Sequence, residues 1–266
     1  MMSFHTHILL LNMRITIKIG SNVLTRQDGS LDVTRMSALV DQIADLRSMG
    51  HEIILVSSGA VASGRSELKH IQHDLDSVDQ RQLFSAVGQA KLINRYFEMF
   101  REYGISVGQV LTTKENFADS EHRKNQENCL RVMLENGVLP IVNENDTVSV
   151  TELMFTDNDE LSGLMARMTQ SQMLIILSNI DGIYTGKPTD PDSRLISIVK
   201  PGKDLSDYIQ PSKSSAGRGG MQSKSSVATR TAAAGISVVI ANGKRDNILV
   251  KLMNDRDNTP CTEFLC

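Results

Sequence analysis

Ile15-Thr16-Ile17-Lys18-Ile19 is an alternating, β-branched run that reaches Gly20-Ser21-Asn22 through Lys-x-Gly. It reads as a strand ending at a place where a cation and backbone N–H groups can meet an anion. Similar apolar, β-branched runs follow at 52–56, 105–111, 138–142, 173–178 and 236–240, separated by stretches of helical spacing. The first such stretch, 33–49, carries Val33, Met36, Leu39, Val40, Ile43 and Leu46, with Asp32 as N-cap and Gly50 as C-terminal stop. A second helix is predicted over 78–103, with Leu83, Val87, Ile93, Phe97 and Phe100 inward. A third spans 119–136 and ends at Asn136-Gly137, and 223–234 is also helical. Strands joined by helices predict an α/β fold with a mainly parallel central sheet covered on both faces, and ligands beyond the carboxyl ends of its strands.

The 266 residues suffice for an ample core, and 40% hydrophobic with 22% charged residues are ordinary globular values that exclude disordered and membrane classes. The net charge is −3 and no basic run tracks a nucleic-acid backbone, so nucleic acid is excluded as a partner. Cys129, Cys261 and Cys266 form neither a disulfide framework nor a zinc site, which fits a reducing, cytoplasmic location. Near the start, the apolar stretch Ile8 to Leu11 is shorter than the roughly 7–15 residues of a signal-peptide core. Residues 1–12 are expected to be a loosely ordered extension, because Met13 directly precedes the first strand. The histidines there, His5 and His7, are not assigned a metal.

A second lysine, Lys224, follows Gly217-Arg218-Gly219-Gly220-Met221-Gln222-Ser223. A Walker A loop needs Gly immediately before its lysine, and Ser223 stands there, so a P-loop NTPase is disfavoured. The Ser- and Gly-rich stretch 212–226 reads as a mobile ligand loop leading into the helix. After the second strand comes Val56-Ser57-Ser58-Gly59-Ala60, where Ser58 is a candidate cap for a helix whose first N–H groups would face an anion. Asn143-Glu144-Asn145-Asp146 follows the fourth strand, and Asp157-Asn158-Asp159-Glu160 follows a predicted hairpin. Either cluster alone is ordinary turn chemistry. Together, beside two phosphate-directed lysines, they suit a zwitterionic substrate.

In this order, Lys18 to Thr25, Val56 to Val61, Asn143 to Asp146, Thr156 to Ser162 and Gly219 to Lys224 resemble the glutamate 5-kinase branch of the amino acid kinase family. The likeness runs from about residue 13 to 255. Lys-x-Gly and Ser-Gly-Ala are shared across the family, whereas Asn-Glu-Asn-Asp with Asp-Asn-Asp is specific to that branch. The resemblance implies a three-layer α/β/α sandwich and ATP-dependent phosphorylation of the γ-carboxylate of L-glutamate, at the entry to proline biosynthesis. It implies that Lys18 and Lys224 contact the transferring phosphoryl group while Asp159 holds both ammonium groups. It assigns glutamate binding to Ser58, Gly59, Ala60, Asn143, Asp146, Asp157 and Asn158. Nucleotide binding falls to Lys18, Gly20, Ser178, Asn179, Arg218, Gly219, Gly220, Met221 and Lys224. Mg²⁺ is expected on the ATP phosphates, held by nucleotide and water without a protein metal site.

Two positions depart from the branch. Many members carry Thr-Asp where Ser178-Asn179 stand, and a small polar residue where Arg218 stands. Many also append a C-terminal PUA domain, whereas here residues 256–266 are expected as a tail, with no PUA domain. The resemblance further implies proline as a feedback inhibitor and a homo-oligomer, for which the exposed faces of the 78–103 helix are available. Acetylglutamate, aspartate or small phosphate acceptors remain alternatives, as does a non-catalytic sensor of amino acid or nucleotide. A carboxylate acceptor is already ionised at neutral pH, since glutamate has a pKa of about 4.3, so no general base is required.

Overall fold

A computed structural model describes residues 12–68, 70, 73–148, 157–209 and 220–266. β1 (Arg14–Ile19) leads through one helical turn, α1 (Ser21–Leu24), into α2 (Val33–Ser48), β2 (Glu52–Ser57), α3 (Ala60–Glu67) and α4 (Ser77–Arg101). β3 (Val107–Thr112), α5 (Glu115–Ala118), α6 (Ser120–Glu135) and β4 (Leu139–Glu144) follow. The chain continues with α7 (Asn158–Met168), β5 (Met173–Ser178), β6 (Ile198–Val199), α8 (Met221–Ala232), β7 (Ser237–Asn242), α9 (Ile248–Asn254) and β8 (Cys261–Phe264). Every strand and helix expected from periodicity is present, with ends displaced by no more than about two residues, the usual uncertainty of fraying termini.

The strands form one sheet in the order β3-β4-β2-β1-β5-β7-β8-β6. Among the described residues the pairings are parallel except that of β7 with β8. β1 has β2 on one flank and β5 on the other, so the chain leaves neighbouring strands in opposite directions and a crevice opens at their carboxyl ends.

Alternation along β1 decides what each face carries. Ile15, Ile17 and Ile19 pack with Met36, Leu39 and Ile43 of α2, Tyr96 and Phe100 of α4, and Ile248 and Leu252 of α9. Burying each such isoleucine stabilises by roughly 1.5–3 kcal/mol. Thr16 and Lys18 project to the opposite face. There α6, α7 and α8 cover the sheet, with Leu130, Leu161 and Met165 against Ile54 and Val56, and Val227 and Ala228 against Leu174 and Ile176. The result is the expected three-layer α/β/α sandwich, and it aims Lys18 at the α7 layer.

The inward face of α4 differs from the expectation. Leu83 and Phe97 are exposed, at 36% and 48%, and Val87 and Ile93 are only partly buried; of the predicted set Phe100 alone is fully covered. The buried stripe is Phe84, Ser85, Gly88, Gln89, Leu92, Tyr96 and Phe100. Apolar spacing misses it because its first half faces α3 and polar site residues. A Cβ on Gly88 would collide with the carbonyl oxygen of Ala60, and one on Gly64 with that of Phe84, so both positions must be bare for α3 and α4 to approach.

Residues 256–266 also depart from the reading as a tail. They supply β8, which pairs antiparallel with β7 and buries Thr262 and Phe264. Four residues of mixed character are too short to register as a strand by periodicity. The expected hairpin after Asp146 and the residues before Asn12 lie outside the described residues, as does 210–219, which holds most of the expected glycine loop. The described part of that stretch opens α8. Among the described residues, no helix is long and apolar enough to cross a membrane.

Candidate active site

The strand ends bring the candidate residues together. Lys18 lies one residue before the end of β1, Ser58 follows β2, Asn143 and Glu144 end β4, and Ser178 ends β5. Asp159 and Lys224 stand in the first turns of α7 and α8, so Lys224 belongs to a helix rather than to a loop. All the candidate residues within the described set line one cavity of about 1630 Å³. Arg218 and Gly219 lie outside the described residues.

At the floor of the cavity, Asp159 is fully buried between the two lysines. Its Oδ1 is 2.6 Å from Lys18 Nζ and its Oδ2 accepts from Lys224 Nζ at 2.9 Å. Burial alone would raise the Asp159 carboxyl, but the two ammonium groups, Lys18 foremost, outweigh it and hold the group below its usual range. Burial pushes the Lys18 ammonium below the usual lysine range, against the opposing pull of Asp159 and helped by repulsion from Lys224. Two cations on one anion leave the cluster one positive charge in excess. A buried excess of that sign favours an anion in the cavity.

The wall next to this cluster is a chain of amides and hydroxyls. Asn158 Nδ2 donates to Ser58 Oγ at 3.1 Å and to Asn143 Oδ1 at 3.0 Å, while Asn143 Nδ2 donates to Gln89 Oε1 at 2.8 Å. These bonds orient Asn158 so that its Oδ1, together with Asp157 Oδ2, is buried with no hydrogen-bond partner. Two orphaned acceptors on consecutive residues fit an N–H donor from a ligand, most simply an ammonium group. Farther along, Asp146 is paired with Arg81 and accepts from Ser85 Oγ at 3.1 Å, and Glu144 lies 3.3 Å from the same guanidinium.

Helix starts differ in how their first N–H groups are satisfied. α2, α4, α6 and α7 start on Asp32, Asp76, Asp119 and Asp157, and each carboxylate accepts from first-turn N–H groups. α3 and α8 start on Gly59 and Gly220 with no side-chain cap. Both open into the cavity. Ser58 therefore does not cap α3 as expected. Gly59, at φ 111°, takes the cap position, a left-handed geometry that glycine adopts without a Cβ penalty, and Ser58 turns its hydroxyl to Asn158 instead. The N–H groups left uncapped are suited to carboxylate or phosphate oxygens.

On the other side, Gly20 N–H donates to the carbonyl of Leu177 at 3.1 Å, tying the β1 turn to the Ser178-Asn179 turn. That turn is held in place by Asp181, whose two oxygens accept from Nε and Nη2 along one edge of Arg245 at 2.6 and 2.7 Å, with a further bond from Asn242 Nδ2 at 3.2 Å. Hydrogen bonding to Arg245 keeps the Asp181 carboxyl below its usual range. Sequence reading missed Arg65, Arg81 and Lys244, which all line the cavity. Asn242-Gly243-Lys244 leaves β7 in the strand-glycine-lysine manner that drew attention to Lys18, and was a usable signal. The arginines sit on α3 and α4, where apolar spacing says nothing of polar faces.

A family model described as the amino acid kinase family matches residues 13–242. The chain belongs to the amino acid kinase family. Within that family it is 70% identical over 252 residues to a glutamate 5-kinase of Bacteroides thetaiotaomicron, covering 95% of this chain and 70% of that protein. It is 46% identical over 238 residues to a glutamate 5-kinase of Chlorobaculum tepidum, covering 89% and 65%. Among solved structures, carbamate kinase from Giardia lamblia bound to AMP-PNP aligns with a TM-score of 0.67 at 15% identity, over 96% of this chain and 98% of that one. UMP kinase from Ureaplasma parvum aligns with a TM-score of 0.64 at 17% identity, over 97% and 100%. At those identities the two structures establish the shared amino acid kinase fold alone.

Proposed function

We propose that this protein transfers the γ-phosphoryl group of ATP to the γ-carboxylate of L-glutamate, forming L-glutamyl 5-phosphate and ADP in the first step of proline biosynthesis. The observation that carries the reading is the buried Lys18–Asp159–Lys224 cluster beside an amide and carboxylate wall in one cavity. The high identity to glutamate 5-kinases supports the same acceptor.

A γ-carboxylate oxygen of glutamate forms the new bond to the γ-phosphorus as the bond to the β–γ bridging oxygen breaks, and ADP takes the electron pair. The acceptor is ionised at neutral pH, so no residue removes a proton. Lys18 and Lys224 face the equatorial phosphoryl oxygens, and Asp159 keeps the two ammonium groups a fixed distance apart while remaining unprotonated. Preorganised charge of this kind is the main contribution a protein makes to phosphoryl transfer. The N–H groups at the start of α3 orient the acceptor carboxylate, and those at the start of α8 the nucleotide phosphates. Asn158 and Asp157 receive the α-ammonium group at their unpaired oxygens. Among the described residues no group of three or more His, Cys, Asp or Glu side chains is arranged as a metal cage, and both Asp159 oxygens are taken by lysine. These residues fit Mg²⁺ carried on the nucleotide, where it neutralises phosphate charge.

Purified protein incubated with ATP, Mg²⁺, L-glutamate and hydroxylamine is expected to yield γ-glutamyl hydroxamate with one ADP per hydroxamate. Acetylglutamate and aspartate serve as alternative acceptors in the same assay. No glutamate-dependent hydroxamate at millimolar substrate refutes the assignment.

A further inference from the structure

The oxygens proposed to receive the α-ammonium group belong to Asp157 and Asn158, and the direction in which Asn158 points is set by a relay that ends behind the cavity wall, on α4. Resting on the glutamate kinase reading, we propose that Gln89 of α4 is a positioning residue for the amino-acid acceptor, acting through Asn143 and Asn158.

Hydrogen-bond polarity runs one way along the relay. The backbone N–H of Glu144 donates to Asn143 Oδ1 at 2.9 Å, and a backbone N–H cannot reverse its role. The oxygen end of the Asn143 amide is thereby fixed, and its Nδ2 turns to α4, where it donates to Gln89 Oε1 at 2.8 Å. Asn158 can then meet Asn143 Oδ1 only through its own Nδ2, at 3.0 Å, and the same Nδ2 donates to Ser58 Oγ at 3.1 Å. Asn158 Oδ1 is left as the unpaired end. Asp157 Oδ1 meanwhile caps α7 through the N–H groups of Asp159 and Glu160, which leaves its Oδ2 unpaired as well.

The packing of α4 brings Gln89 to this place. Gln89 and Ser85 stand one turn apart on one helix face, and they bond Asn143 at the end of β4 and Asp146 just beyond it. Gly88, beside Gln89, is bare where α3 comes close. Gln89 and Asn143 are both buried, so water does not readily take the place of the Gln89 oxygen. Without that oxygen a buried donor of Asn143 loses its partner, and the amide that holds Asn158 is pinned at one end only.

The test is steady-state kinetics on Gln89→Met, which keeps the length of the side chain and removes its oxygen. An ammonium contact is made in the ground state and the transition state alike. The glutamate KM is therefore expected to rise about tenfold, as for one buried hydrogen bond, with kcat and the ATP KM within about twofold of wild type. Gln89→Glu offers an acceptor oxygen in either protonation state and is expected to stay within about threefold of the wild-type glutamate KM. It also carries the test if the methionine variant does not fold. In an Asn158→Ala background, where the oxygen being aimed is already gone, Gln89→Met should raise the glutamate KM by less than about twofold further. A merely structural Gln89 would weaken both substrates and add its full effect in that background. An unchanged glutamate KM in Gln89→Met, a rise of about tenfold or more in Gln89→Glu, or full additivity with Asn158→Ala overturns the proposal. Absence of glutamate-dependent hydroxamate in wild type would instead overturn the function on which it rests.

Discussion

The two ends of the cavity are built differently. The end proposed for the acceptor consists of side chains on strand ends and helix first turns, with Lys18, Asp159 and Lys224 buried in one ion cluster and Asn143 buried and bonded to Asn158. The end proposed for the nucleotide hangs on turns after β5 and β7, where Asp181 is tied to Arg245, whose side chain is 46% exposed. A buried charge cluster is costly to break and is screened by salt far less than an exposed pair. A half-exposed ion pair is worth little in isolation and is screened. The contrast puts the rigid charges at the end where the proposed reaction needs them aligned.

Asp159→Asn tests the rigid end most severely. Removing the carboxylate leaves two buried ammonium groups facing one another, and the expected loss of folding stability is about 3–5 kcal/mol, read by urea denaturation. A loss under about 1 kcal/mol would mean that the lysines find other partners and that the cluster is not the keystone of this end.

Next come the lysines themselves. Lys224→Ala and Lys18→Ala are each expected to lower kcat by about 10² or more while glutamate KM changes far less, because the contact strengthens in the transition state. Unchanged kcat in either variant removes that residue from the mechanism.

A pH profile separates Lys18 from a generic positive charge. Burial sets its pKa below 10.5, so it loses its proton earlier than an exposed lysine as pH rises, and the positive charge facing the phosphoryl group goes with it. The expected kcat falls on the alkaline side with an apparent pKa below 10.5, and Lys18→Arg, if it retains activity, should shift that limb upward. A flat profile up to that pH contradicts the role.

The smallest effect belongs to the exposed end. Arg245→Ala should raise KM for ATP a few-fold, leave glutamate KM unchanged and cost under about 1 kcal/mol in stability. A change as large as that from Asp159→Asn would erase the contrast between the two ends.

Local patterning made much of this legible in advance. β-branched runs and helical spacings report which side of a segment is apolar, and they located the six principal strands, the long helices and the turns in which the site residues stand. They misjudged α4 because its site-facing stripe contains Ser85, Gly88 and Gln89 where a core stripe would hold leucine. They missed β8 because its four residues belong to the sheet only through pairing with β7.

By itself the sequence determined the α/β class, the family, and the identity of the residues with chemistry to offer. Tertiary structure alone decided that Lys18 and Lys224 share the Asp159 carboxylate, that Ser58 serves Asn158 rather than a helix end, and that Arg81 pairs with Asp146. The reason is physical. Periodicity encodes the exposure of near neighbours, whereas these meetings depend on strand order and on which faces α4, α7 and α8 bring to the sheet, and those are settled only when the whole core packs.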